Sequence, residues 1–106
     1  MTTFDEREKE FEARFKHDAD FRFKVTARRN RLVGLWAAER MGLSGPAAAT
    51  YAKTIVAAEF EHGGDSHVVD KLIADLAANG HAATPNQVTF ELAHFAAQAR
   101  EQLMVE

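Results

Sequence analysis

Apolar residues recur along this chain at i, i+3, i+4 and i+7, the spacing of one helix face, and they do not alternate as a half-buried strand requires. Phe21, Val25, Leu32, Leu35 and Trp36 form one stripe over about residues 19–41. Ala48, Tyr51, Ala52 and Ile55 form a second, in a helix running to about Glu61. Val69, Leu72, Ile73 and Leu76 form a third, ending near Asn79-Gly80. Val88, Leu92, Phe95, Ala99 and Leu103 form a fourth, continuing to about Leu103.

The punctuation between the stripes agrees with them. Gly42 suits a left-handed C′ position after the first helix. Ser44 or Gly45 is placed to cap the second, with Pro46 in its first turn, where a missing N–H costs nothing. His62-Gly63-Gly64-Asp65 is a break, with Asp65 or Ser66 as the cap of the third helix. Thr84-Pro85-Asn86-Gln87 is the strongest start: Thr84 at N-cap, Pro85 at N1 and Gln87 at N3 completing a capping box. Connections this short make sequential helices antiparallel neighbours, so residues 19–106 are expected to form an all-α four-helix bundle.

The first 18 residues are different. Phe4, Phe11 and Phe15 are their large aromatic side chains and share one narrow helical face. Charged residues fill the spaces between, including Arg7, Lys9 and Arg14. Thr3 and Glu6 have capping-box spacing, so a helix has a defined start. A segment this short is marginal as a helix in water. It is expected to be mobile when free and helical when a groove accepts its phenylalanines. The alternative is that the first helix simply extends to Thr3 with a frayed, solvated end.

Composition narrows the function. The chain has 106 residues, no cysteine and a formal net charge of −3. Thiol catalysis, disulfides and zinc–thiolate sites are excluded. The longest apolar run is four residues, too short to span a membrane, and the N-terminus lacks a basic then apolar signal. The expected setting is cytoplasmic.

The net charge conceals a strong asymmetry. Residues 1–20 carry −3, residues 21–40 carry +5 and residues 41–106 carry −5. The acidic remainder would repel a polyanion, which argues against nucleic acid as a partner. Arg28 falls on the apolar stripe of the first helix as read above, and Arg29 at its edge near Trp36. A guanidinium there must pair or bind an anion, since a lone buried charge is very costly. Glu59, also on an apolar stripe, is the candidate acid. The competing reading is a phosphate clamp, with Trp36 or Tyr51 as a stacking surface for a base.

Other constellations are weak. His62 and His67 straddle a predicted break without a metal-ligand motif, and His17 and His94 read as solvated. No nucleophile elbow, Walker A or dinucleotide fingerprint occurs. Nothing points to catalysis, so the chain is read as non-enzymatic, with no metal and no required cofactor.

Several strings resemble the zeta subunit that inhibits the F-type ATP synthase of alpha-proteobacteria. They are Met1-Thr2-Thr3-Phe4-Asp5-Glu6-Arg7-Glu8, Phe15-Lys16-His17-Asp18, Phe23-Lys24 and Ala27-Arg28-Arg29-Asn30-Arg31-Leu32-Val33-Gly34-Leu35-Trp36-Ala37-Ala38. Gly42, Gly45, Tyr51-Ala52 and Ala99-Arg100-Glu101-Gln102 continue the match, which weakens over residues 60–90. The resemblance implies a four-helix bundle whose N-terminal region becomes helical inside the catalytic head and blocks ATP hydrolysis. It also implies ADP or ATP as a regulatory ligand on the bundle. Carried onto this chain, Phe4, Arg7, Lys9, Phe11, Arg14 and Phe15 become the inhibitory contacts, and Arg28, Arg29 and Trp36 the nucleotide contacts. The protein is then expected to be a monomer when free and held at the inner membrane only through the synthase. The alternative is a nucleotide-binding helical sensor or adaptor acting on another partner.

Overall fold

The computed structural model describes the backbone of residues 4–106, and the side chains except those of residues 4–6, 8 and 10–16. Among the described residues there are four α-helices: α1 Phe4–Arg40, α2 Gly45–His62, α3 Asp65–Ala78 and α4 Pro85–Met104. No strand occurs among the described residues. The all-α bundle expected from the periodicity is therefore the fold.

The helix ends follow from their residues. Gly42 takes φ +82°, and the amides of Gly42 and Leu43 donate to the carbonyls of Glu39 and Ala38 at 3.0 and 2.8 Å. That pair of bonds is a Schellman cap, which needs a left-handed residue at C′. The end of α3 repeats it, with Gly80 at φ +82° and the His81 amide donating to the Leu76 carbonyl at 2.9 Å. At α4 the capping box forms in full. The Gln87 amide donates to Thr84 Oγ1 at 3.1 Å, and the Thr84 amide to Gln87 Oε1 at 2.9 Å. Ser44 caps α2 in extended geometry, without a side-chain hydrogen bond.

The cap of α3 differs from expectation. Gly64 occupies the N-cap, and Asp65 is the first helical residue, with no side-chain cap bond. Asp65 is held elsewhere by a stronger partner, described below.

Pairs along the helices give the topology. Gly34 meets Ala52 and Ile55, while Phe23 meets Phe60, so α1 and α2 run antiparallel. Tyr51 bonds Asp75 and His62 stacks on His67, which sets α2 against α3 in the same way. Arg28 reaches the end of α4, whereas Trp36 shares a cavity with Gln87 near its start.

The core is Val33, Ala37, Ile55, Val68, Leu72, Leu76, Val88 and Leu92 with Ala58. The stripes expected for α2, α3 and α4 supply Ala48, Ala52, Ile55, Leu72, Leu76, Val88, Leu92 and Ala99 to the buried set. Tyr51, Val69, Ile73 and Phe95 pack at its edge.

For α1 the buried arc is turned from the one expected. Val25 is buried, but Phe21, Leu32, Leu35 and Trp36 are half-buried. The centre of the arc is Asn30, Val33, Gly34 and Ala37. The reason is packing: α1 touches both α2 and α4, and close approach on two sides selects small side chains at the centre and large ones at the margins. At Gly34 an added Cβ would lie 2.8 Å from Ala52 Cα.

α1 also begins at Phe4, with no break near residue 18. Thirty-seven residues at 1.5 Å each give a helix of about 55 Å, in a molecule 65 × 25 × 21 Å. Residues 17–20 are exposed, and Val25 is the first buried residue of α1 among those described.

Candidate functional site

Two regions carry the candidate residues: the start of α1, and the seam where α1 meets the α2–α3 turn. Of the tail residues, Arg7 and Lys9 are exposed. The side chains of Phe4, Phe11, Arg14 and Phe15 lie outside the described residues, as does the Thr3–Glu6 box.

At the seam, the buried guanidinium is that of Arg29. It stands one turn from Val25 and one turn from Val33, on the true core arc, and is only 9% exposed. Its two Nη atoms donate to the two carboxylate oxygens of Asp65 at 2.9 and 3.2 Å. Its Nε donates to Asn30 Oδ1 at 3.0 Å. Glu59 Oε2 stands 3.6 Å from Nη2, close enough for attraction and too far for a hydrogen bond. One cation therefore joins α1, the end of α2 and the first residue of α3. The fork geometry explains why Asp65 does not cap its own helix: two parallel bonds from a guanidinium to the carboxylate outweigh one from a neutral backbone amide.

The two acids respond oppositely. Burial raises the Glu59 carboxyl above its ordinary range, and the Asp65 charge adds to this against the pull of Arg29. Asp65 is lowered, chiefly because it accepts the Arg29 hydrogen bonds. Asn30 Nδ2 and Glu59 Oε2 are buried without a hydrogen-bond partner.

Arg28 is placed differently from expectation. It lies off the core arc, bonded to Glu106 and, at 3.4 Å, to Gln102. Glu59, expected as its partner, belongs to Arg29. The Arg28 contact lowers the Glu106 carboxyl. Trp36 is on another side of the bundle. Arg40 lies over its ring at 4.7 Å, and the two line a cavity of about 150 Å³ with His81 and Gln87. Arg28, Arg29 and Trp36 thus have three separate sets of neighbours and do not converge. Tyr51 donates to Asp75 Oδ2 at 2.9 Å, an oxygen that also accepts from Lys71 at 3.0 Å. Burial and that carboxylate raise the phenol.

The remaining histidines are exposed. His62 and His67 stack at 3.7 Å across the α2–α3 turn. No group of three or more metal-ligating side chains occurs among the described residues. Sequence reasoning missed the contact between Phe23 and Phe60, 4.9 Å apart and 54% and 57% exposed. The signal was available: both lie off the apolar stripes, where a large aromatic is unexpected.

The geometry alone describes a bundle with a projecting helix and a basic flank. The model of a family described as ATPase inhibitor subunit zeta matches residues 1–102. The chain belongs to that family. The match extends through the projecting part of α1 as well as the bundle, and the family's role is regulatory: inhibition of the ATP synthase. The resemblance read from Ala27–Ala38 and the terminal strings is thereby established. A solved structure, a solution NMR structure of a protein, is similar at 40% identity and a TM-score of 0.68. It covers 77% of this chain and 93% of its own. No curated protein gives a match. No described helix is long and apolar enough to cross a membrane.

Proposed function

We propose that this zeta-family chain inhibits ATP hydrolysis by inserting its N-terminal segment, residues 1–18, into the catalytic head of the F-type synthase. Phe4, Phe11 and Phe15 are the apolar anchors, and Arg7, Lys9 and Arg14 the flanking charges. Residues 19–106 are the folded module that carries the segment. The observation that supports this is the division of labour within α1. Among the described residues, 17–20 are exposed and Val25 is the first that α1 buries. Three phenylalanines at the spacing of one helix face give a terminal segment the apolar anchors that a partner's groove accepts. The segment binds by laying its apolar face into a groove of the partner.

ADP or ATP is the second ligand in this reading. Arg28 and Arg29 are held by carboxylates, which leaves Trp36, beside Arg40 and His81, as the side chain best placed for a base. Titration with ADP followed by NMR tests it: the Trp36 indole is expected to shift, and a chain that does not respond anywhere ends the nucleotide reading.

The test of inhibition is ATP hydrolysis by the isolated synthase head, titrated with the full chain and with a chain starting at Asp18. The full chain is expected to suppress hydrolysis, and the shortened one to lose that effect. Undiminished inhibition by the shortened chain would move the activity to the bundle.

A further inference from the structure

Between α1 and α2 lies a trough, bounded partway along by Leu103 of α4 and Glu106 at the C-terminus. Two cavities, of about 330 and 480 Å³, share Phe23, Ala27 and Val56 in their walls. A third, of about 410 Å³, joins them at Arg31 and Val56. Along α1 the trough runs from Ala19 to Leu35, about 24 Å of helix at 1.5 Å per residue.

Its floor and its rim differ in chemistry. Phe23 and Phe60 meet near its Ala19 end, each more than half exposed, with Val56 lining all three cavities. Adjacent half-exposed aromatics over an apolar floor mark an interaction site rather than a solvated surface. The rim is basic: Arg22, Lys24 and Arg31 on α1 and Lys53 on α2 are exposed. The acids in its walls are already engaged. Glu106 pairs with Arg28, and Glu59 sits against Arg29. The trough therefore presents an apolar floor between cationic edges.

We propose that this trough docks an acidic amphipathic helix of the synthase head. The helix lays its apolar stripe on Phe23, Phe60 and Val56, and directs its carboxylates to Arg22, Lys24, Arg31 and Lys53. A channel some four turns long beside α1 has the length to take another helix with anchors at i, i+3 or i+4, and i+7. The partner follows from position, and in this the inference rests on the reading above. The trough begins at Ala19, directly after the inhibitory segment, so whatever holds the segment lies against the trough. Two contacts carried in succession on one chain bind at high effective concentration, and each strengthens the other without new contacts.

The test uses full-length chains in binding and hydrolysis titrations with the synthase head. One variant combines Arg22→Glu, Arg31→Glu and Lys53→Glu; a second combines Phe23→Ser and Phe60→Ser; a third combines Phe4→Ala, Phe11→Ala and Phe15→Ala. The two trough variants are expected to bind about 100-fold more weakly, by loss of the linked contact. The charge-reversed one should also show a flattened salt dependence. Thermal unfolding verifies that both remain folded, as their exposed positions require. Wild-type affinity in both trough variants would overturn the docking site. The phenylalanine-to-alanine tail variant decides the other reading separately: it is expected to bind through the trough without inhibiting. If it inhibits like wild type, the segment is not the inhibitor. If the unaltered chain does not bind the head, both proposals fall.

Discussion

Arg29 is the residue on which closure of the α2–α3 corner turns. Replacing it with methionine keeps the apolar stem but leaves Glu59 and Asp65 facing each other without a cation. Glu59 is mostly buried and loses its nearby cation, while Asp65, more than half exposed, is resolvated, so Arg29→Met is expected to cost about 1–3 kcal/mol at pH 7 by chemical denaturation. Its pH dependence has a definite sign. Glu59 is raised above its ordinary 4.5. Its contribution to stability is therefore present below 4.5 and lost as pH rises through the higher native value. Asp65 is held below its ordinary 3.8 by Arg29. That contribution is present above 3.8 and lost as pH falls through the lower native value. In Arg29→Met the Asp65 effect disappears and the Glu59 carboxyl rises further, so protonation relieves the damaged site. The destabilisation should be smaller at pH 5 than at pH 7; equal losses at the two values would show that the carboxylates are not the cause. By contrast, Glu106→Ala removes the exposed partner of Arg28 and should leave the chemical denaturation midpoint almost unchanged, as for other surface pairs.

At the scale of elements, the readable features were those encoded locally. The capping box at Thr84, the glycine stops at Gly42 and Gly80, and the periods of α2 to α4 depend on neighbours within a few residues, and they stand as expected. Thr84→Ala is expected to cost about 1 kcal/mol in thermal unfolding, the usual value of an N-cap. The buried arc of α1 was not readable in the same way. Bulky Leu32, Leu35 and Trp36 drew the stripe to one side, whereas the centre of the interface is occupied by Asn30, Gly34 and Ala37, chosen for how closely two other helices approach. Nothing in a single helix reports that distance. For the same reason Arg29, and not Arg28, proved to be the buried arginine. Gly34→Ala tests the argument directly. Alanine favours a helix interior by about 1 kcal/mol over glycine, yet its Cβ would sit 2.8 Å from Ala52 Cα and 3.1 Å from Ala52 Cβ. Overpacking of this kind costs about 1–3 kcal/mol, so a net loss of stability is expected. A gain would mean that α1 and α2 separate easily.

On the scale of the whole molecule, what matters is that one helix serves two purposes, and that they are separable. If α1 were stabilised along its full length by its own propensity, shortening it would weaken the bundle by fraying. If its stability comes from tertiary burial, the part before Val25 adds little, because short helices without packing are marginal in water. The exposure of residues 17–20 and the position of Val25 as the first buried side chain among those described favour the second case. A chain beginning at Asp18 is therefore expected to unfold within about 2 °C of the full-length protein, a shift that corresponds to less than about 0.5 kcal/mol in a domain of this size. Hydrogen exchange adds the local view. Amides from Val33 to Ala38, at the centre of the core, should exchange only through global opening, while those before residue 18 exchange by local fraying. A large drop in Tm on truncation would show that the projecting part of α1 supports the bundle. It would then be difficult for that part to leave one set of contacts for another. Near-identical Tm values would establish that the segment is thermodynamically independent of the fold that carries it, as a segment that orders on its partner must be.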